Sequence, residues 1–230
     1  MMEHNGKVVS EVITFISDDC VYLQGVASFC MHSHINCRLV YAYSGMDLQT
    51  LSANTEPVMP DSVVVVAITD MYLRNQIVSS EFLPACRCIF ETRIAVCPGE
   101  RLAFPYALPR LEPRMYAHIL LEAFFSPLSR PKISECDIQI INTLCEGGNL
   151  PMLSNILGLQ EKSLYQRWLK ILKRRGFSSL HPCAWFLCRD MMIMEKKIAN
   201  RIIAAKRERA LRKNTSARFS GRQAEKSLSF

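Results

Sequence analysis

Two glycine breaks, at Gly147-Gly148 and at Gly158, divide the stretch 133–177 into three short helical segments. Glycine adopts the left-handed backbone that ends helices, so these breaks set where each segment stops. In the first segment Ile138, Ile140, Ile141 and Leu144 form an apolar stripe, and in the second Leu153, Ile156 and Leu157 do. In the third, Leu164, Trp168, Ile171 and Leu172 recur at helical spacing. Lys162, Tyr165, Gln166, Arg167, Lys170, Lys173 and Arg174 fall largely off that stripe. The pattern predicts a compact trihelical unit whose third helix holds the unit together with one face and offers cations on the other.

Charge sharpens this division. Of the chain's 230 residues, 1–130 carry 9 Lys/Arg and 13 Asp/Glu, a net of −4; 131–230 carry 19 and 8, a net of +11. Only the second half is attracted to a polyanion, and the asymmetry predicts two domains. The N-terminal MMEHNGK is polar and lacks the apolar run of a secretory signal, and no apolar run reaches the length of a membrane helix. A cytoplasmic location without a membrane partner is expected.

The ten cysteines lie mostly in apolar runs, with no Cys-x-x-Cys pair. They read as reduced, small core residues. Zinc needs four converging ligands; Cys30, His32, His34 and Cys37 are the nearest approach, and no metal or other cofactor is expected. Nor does a Ser/His/Asp set, a Cys/His pair or a glycine-rich phosphate loop mark an enzyme.

The first half alternates β-branched runs with helical segments. VITFI (12–16) and VVVVAI (63–68) suit strands buried on both faces of a parallel sheet. Residues 37–43 and 86–90 are weaker strands. Helices are expected over 21–31, 73–82 and 112–125, the last burying Met115, Ile119 and Ala123. The alternation predicts an α/β domain. Pro127 and Pro131 then mark a linker.

A first strand followed by Asp18-Asp19 and a helix resembles the receiver domain of response regulators. In that family the acidic pair holds Mg²⁺; in this chain the residues equally suit a helix N-cap. The rest of the resemblance implies a degenerate site. The end of the third strand, where receivers keep the phosphorylated Asp, falls at Val66 or Ala67, with Asp70 further on. No Lys occurs between Lys7 and Lys132, and Arg110 is the nearest substitute after the fifth-strand region 104–110. Thr92 sits where receivers keep a switch hydroxyl, or is simply solvated.

The stretch 133–177 resembles the helix-turn-helix of LuxR/NarL-type bacterial regulators over about 45 residues. Ser134 matches the capping hydroxyl, Glu146-Gly147 the first helix end, and Gly158-Leu159 the turn. Gln160–Leu164 matches the lead into the recognition helix, and Arg174–Phe177 its close. Pro151 and Met152 depart from the family's Lys and Glu. The resemblance implies binding of double-stranded DNA. Lys162, Lys170, Lys173 and Arg174 would anchor phosphates, and Tyr165, Gln166 and Arg167 would read base edges. Trp168 reads as core rather than as a stacking platform.

Residues 178–188 suit the family's fourth helix, with Ala184, Trp185, Phe186 and Leu187 either core or dimer contact. A basic helix over 191–213 packs on the domain, extends a DNA arm or lies on a membrane surface; 214–230 reads as a flexible tail. The expected organisation is thus a receiver-like α/β domain with a parallel sheet (8–126), a linker (127–132), an all-α helix-turn-helix domain (133–190), a basic helical extension (191–213) and a tail. The expected function is phosphorylation-independent transcription regulation. The chain would act as a homodimer or as a heterodimer with another response regulator, or alternatively as an adaptor that binds such a regulator and leaves DNA alone.

Overall fold

The computed structural model describes residues 12–46, 50, 62–81, 83–97, 104–127, 134–178 and 180–227. Five strands form one parallel sheet: β1 (Ile13–Ser17), β2 (Cys37–Tyr41), β3 (Val63–Ala67), β4 (Arg87–Thr92) and β5 (Tyr106–Pro109), in the order β2-β1-β3-β4-β5. Ile13 stands beside Cys37 on one side and Val63 on the other. The two valine-isoleucine runs become the central strands because both faces there are covered. Side chains alternate: Val63 and Val65 enter one core, Val64 and Val66 the other.

One face packs against α1 (Cys20–His32) and α3 (Pro113–Phe125). Leu23, Val26 and Cys30 meet Phe15, Val65 and Ile89 in a core with Tyr116, Leu120 and Ala123. This corrects the expected face of α3. Ala123 is buried and Ile119 half-buried, but Met115 is exposed. The stripe runs through Tyr116, one step round the helix, because its hydroxyl donates to Glu91 at 2.8 Å while its ring packs on Phe29.

The other face packs against α2 (Met71–Ser79), a short 3-10 turn (Leu83–Ala85) and the helix α7 (Pro182–Ser227). Leu73 and Ile77 of α2 share a core with Leu187, Cys188 and Met191 of α7 and with Val64, Cys88 and Phe90 of the sheet. Between β4 and β5 no helix lies among the described residues. The same core continues without a break into the trihelical unit, α4 (Glu135–Cys145), α5 (Leu150–Leu157) and α6 (Glu161–Arg174), through Ile140, Leu153, Leu164 and Trp168. The expected linker, Pro127 apart, lies outside the described residues.

Helix α7 runs as one element across both 190 and 213, where changes of character were expected. Its first turns are packed: Ala184, Leu187, Cys188, Met191, Met192, Met194 and Ile198 are buried. From Arg201 to Arg209 the side chains are exposed, with Ile202 half-buried. A charged pair pins the packed part. Arg74 of α2 donates through Nε to Asp190 at 2.6 Å, and through Nη1 to the Ile68 carbonyl at 3.3 Å. Burial pushes the Asp190 carboxyl up, and the neighbouring Arg74 opposes that shift.

A second contact ties the lobes through backbone. Cys97 N–H donates to the Gly176 carbonyl at 2.7 Å, and Val96 bridges Phe177. Gly176 has φ +83°, and a Cβ there would stand 2.8 Å from the Cys97 carbonyl oxygen. Only glycine fits this approach.

Candidate nucleic-acid interface

The trihelical unit is assembled by caps and turns. Asn149 caps α5, its Oδ1 accepting from the Met152 N–H at 2.9 Å. Gly158 ends α5 in the left-handed region, φ 64°, with its N–H on the Ser154 carbonyl. Ser154 Oγ donates to the Leu159 carbonyl at 2.7 Å, which closes the turn. Leu153 is buried and Leu157 half-buried, but Ile156, expected in the core, is 49% exposed. Leu153 and Leu157, one turn apart, set the inward face of this two-turn helix and leave Ile156 at its margin.

Helix α6 carries the strongest amphipathic division. Leu164, Trp168, Ile171 and Leu172 are all buried, as the spacing predicts. Trp168 meets Trp185 of α7 edge-to-face, ring centroids 5.0 Å apart, and Tyr165 at 5.8 Å. The Trp185 ring therefore points inward. Phe186 is half-buried beneath the Arg189 guanidinium, 5.1 Å from its ring centroid.

On the opposite face Lys162, Tyr165, Gln166, Lys170, Lys173 and Arg174 are exposed. Gln166, Lys170, Lys173 and Arg174 line an open groove of about 910 Å³ that runs along α6 beside the start of α4. Lys162 and Tyr165 do not line it. The acidic Glu161 in the first turn and the basic Lys173 and Arg174 in the last both suit the helix dipole.

Arg167 is placed differently from its neighbours. Its Nε donates to Asp137 Oδ1 at 2.6 Å and its Nη2 to Ser134 Oγ at 2.9 Å. The hydrogen bond to Asp137 pushes its guanidinium further up from the ordinary arginine value. Arg174 lies 3.8 Å from the other Asp137 oxygen. Asp137 is buried, and two arginines from α6 neutralise it. Ser134 holds the cap position of α4 but makes no side-chain cap bond; its hydroxyl receives Arg167 instead. Sequence spacing could not show this clamp, since the partners lie 30 and 33 residues apart.

The carboxylates beyond β1 and β3 are spent on backbone. Asp19 accepts from the Val21 and Tyr22 N–H groups and caps α1. Asp70 accepts from Tyr72 and Leu73 and caps α2. Asp18 accepts from the Thr69 and Asp70 N–H groups, fastening the two loops together. Thr92 Oγ1 accepts from the Ile94 N–H at 3.1 Å. Among the described residues no three His, Cys, Asp or Glu side chains converge as metal ligands. No described helix is long and apolar enough to cross a membrane.

No family model and no curated protein matches the chain. Among solved structures it is similar to full-length FixJ from B. japonicum, at 10% identity and TM-score 0.36, over 79% of this chain and 98% of that one. It is also similar to RcsB from Salmonella enterica serovar Typhimurium bound to promoter rprA, at 11% identity and TM-score 0.43, over 78% and 98%. At this level of likeness, what the groove binds follows from its own side chains.

Proposed function

We propose that the chain is a DNA-binding regulator of transcription of the LuxR/NarL type that acts without phosphorylation. The observation that carries this reading is α6: four apolar residues are buried along one face, and Lys162, Lys170, Lys173 and Arg174 are exposed on the other. A helix held rigid by its apolar side, with a cationic side open to solvent, has the shape and charge of an element that enters a DNA groove. The lysines and Arg174 anchor phosphates; Tyr165 and Gln166 reach base edges. Arg167, bonded to Asp137 and Ser134, sets the angle of α6 on α4 and contributes charge from that fixed place.

Phosphorylation independence is supported by Asp70, whose carboxylate caps α2, and by the lack of any lysine between Lys7 and Lys132. One small cationic domain supplies few phosphate contacts, so the reading includes a dimer, of this chain or with another response regulator. The test is a mobility-shift titration of genomic fragments with the wild type and with Lys170→Ala/Lys173→Ala. Binding by the wild type and its loss in the variant is the expected result. No shift by the wild type at low salt overturns this reading and favours the adaptor, which keeps the fold and binds only another regulator.

A further inference from the structure

The chain's charge is concentrated in one place. Residues 1–200 carry 19 Lys/Arg and 19 Asp/Glu and are neutral as a whole; residues 201–230 carry 9 and 2, so the entire excess of +7 lies there. Most of that stretch belongs to the distal part of α7, which continues as helix to Ser227. Ile198 is the last fully buried residue of α7 among those whose side chains are described. Just before it, Lys196 reaches Glu135 at 3.2 Å, and Lys197 donates to the Ser80 carbonyl at 3.2 Å. Beyond it, Arg201, Lys206, Arg207 and Arg209 are exposed.

The sequence of this arm selects among partners. A helix that lies on a membrane surface needs a continuous apolar face, and one that pairs with a second copy needs a heptad seam. Successive residues turn by about 100° round a helix. Arg201, Lys206, Arg207 and Arg209 therefore point to different sides and interrupt any stripe that Ile202 and Ile203 could begin. Cations on several sides suit a groove with phosphates along both of its walls. The point of departure fits too. Glu135, the partner of Lys196, stands in the first turn of α4, and that same turn borders the α6 groove through Ser134 and Asp137.

We propose that the distal part of α7 is a second DNA-binding element, which tracks a phosphate-lined groove of the duplex and adds affinity without sequence preference. The choice of double-stranded DNA rests on the reading of α6 given above. From Arg201 to Ser227 the helix spans roughly 40 Å, slightly more than one turn of duplex. The α6 face then selects the site, and the arm supplies phosphate contacts that a single small domain lacks.

The test is the salt dependence of the full chain's affinity for a random-sequence duplex, measured by fluorescence anisotropy. Arg201→Gln/Lys206→Gln/Arg207→Gln/Arg209→Gln neutralises the described cations. Since they point to different sides, two or three of the four face phosphate at once, and the slope of log K against log salt is expected to fall by about 2–3. The charge-conserving Arg201→Lys/Arg207→Lys/Arg209→Lys is expected to keep the wild-type slope. Glutamine and lysine both favour helix, and circular dichroism checks that helicity is retained. An unchanged slope in the glutamine variant overturns the proposal; co-sedimentation with phosphatidylserine vesicles that is lost in that variant then assigns the arm to a lipid surface. An equal fall in the charge-conserving variant also overturns it. A lowered slope in the arm variant beside a wild-type slope in Lys170→Ala/Lys173→Ala supports the arm and removes α6 instead. The reverse pair removes the arm and leaves α6. No binding of any duplex by the wild type at low salt overturns both.

Discussion

Asp190 of α7 sits 2.6 Å from Nε of Arg74 on α2, with 1% of its side chain exposed. The two residues are 116 positions apart, and each comes from an element that the other lobe needs for its core. Removing two charges from water is costly, and their pairing makes this burial tolerable, aided by the Ile68 carbonyl on Arg74 and by Asn75 and Arg189 beside Asp190. Asp190→Ala leaves Arg74 buried without its partner and is expected to destabilise by about 3–5 kcal/mol. Arg74→Met/Asp190→Leu is expected to recover most of that loss. Urea unfolding of both variants decides it; equal loss in the two would show that the ion pair itself, rather than the packing around it, is required.

Trp168 provides a sharper case. Its ring packs on Trp185, yet its Nε1–H is buried with no hydrogen-bond partner among the described residues, as is that of Trp185. Trp168→Phe keeps an aromatic ring and removes the unpaired donor, so a cost below about 1.5 kcal/mol is expected. Trp168→Ala empties the centre of the trihelical unit and is expected to cost about 3–5 kcal/mol. Thermal unfolding with DNA affinity as a second readout checks both.

The thiols should divide by burial. Cys30, Cys86, Cys88 and Cys188 are buried, and Cys20, Cys97 and Cys183 are exposed. Burial pushes the Cys188 thiol up to about 12 and that of half-buried Cys145 up to about 11. A thiol whose value rises has less thiolate at any given pH, so its reaction moves to higher pH. Iodoacetamide at pH 8 is expected to label the three exposed cysteines under native conditions, and Cys188 only after unfolding. Native labelling of Cys188 at a rate like that of Cys20 would contradict its burial.

Salt dependence separates anchoring from reading on α6. Removing one phosphate-anchoring cation lowers the slope of log K against log salt by about 0.9. Lys170→Ala and Lys173→Ala are each expected to lower it by about that amount and to weaken all DNA sequences alike. Gln166→Ala is expected to leave the slope unchanged and alter preference among sequences. Fluorescence anisotropy titrations at several salt concentrations measure both; an unchanged slope in Lys170→Ala would remove that residue from the phosphate set.

Much of the architecture was legible from short-range pattern. The runs of valine and isoleucine became central strands, and Leu164, Trp168, Ile171 and Leu172 became the buried stripe of α6. Those readings hold because strand and helix periodicity are properties of adjacent residues. The expected inward face of α3 missed by one position. Met115 and Tyr116 are both apolar enough to bury, and only Glu91, on a separate strand, made Tyr116 the better choice.

Local order thus determined this chain's parallel strands, its glycine-bounded helices and the cationic face of α6. Tertiary structure alone decided that Arg167 would clamp Asp137 rather than stand free, and that α7 would cover the sheet and meet Arg74 through Asp190. Hydrophobic periodicity is written in neighbouring residues, whereas a buried charge takes whichever partner folding brings within hydrogen-bond distance. Sequence separation carries no information about that choice.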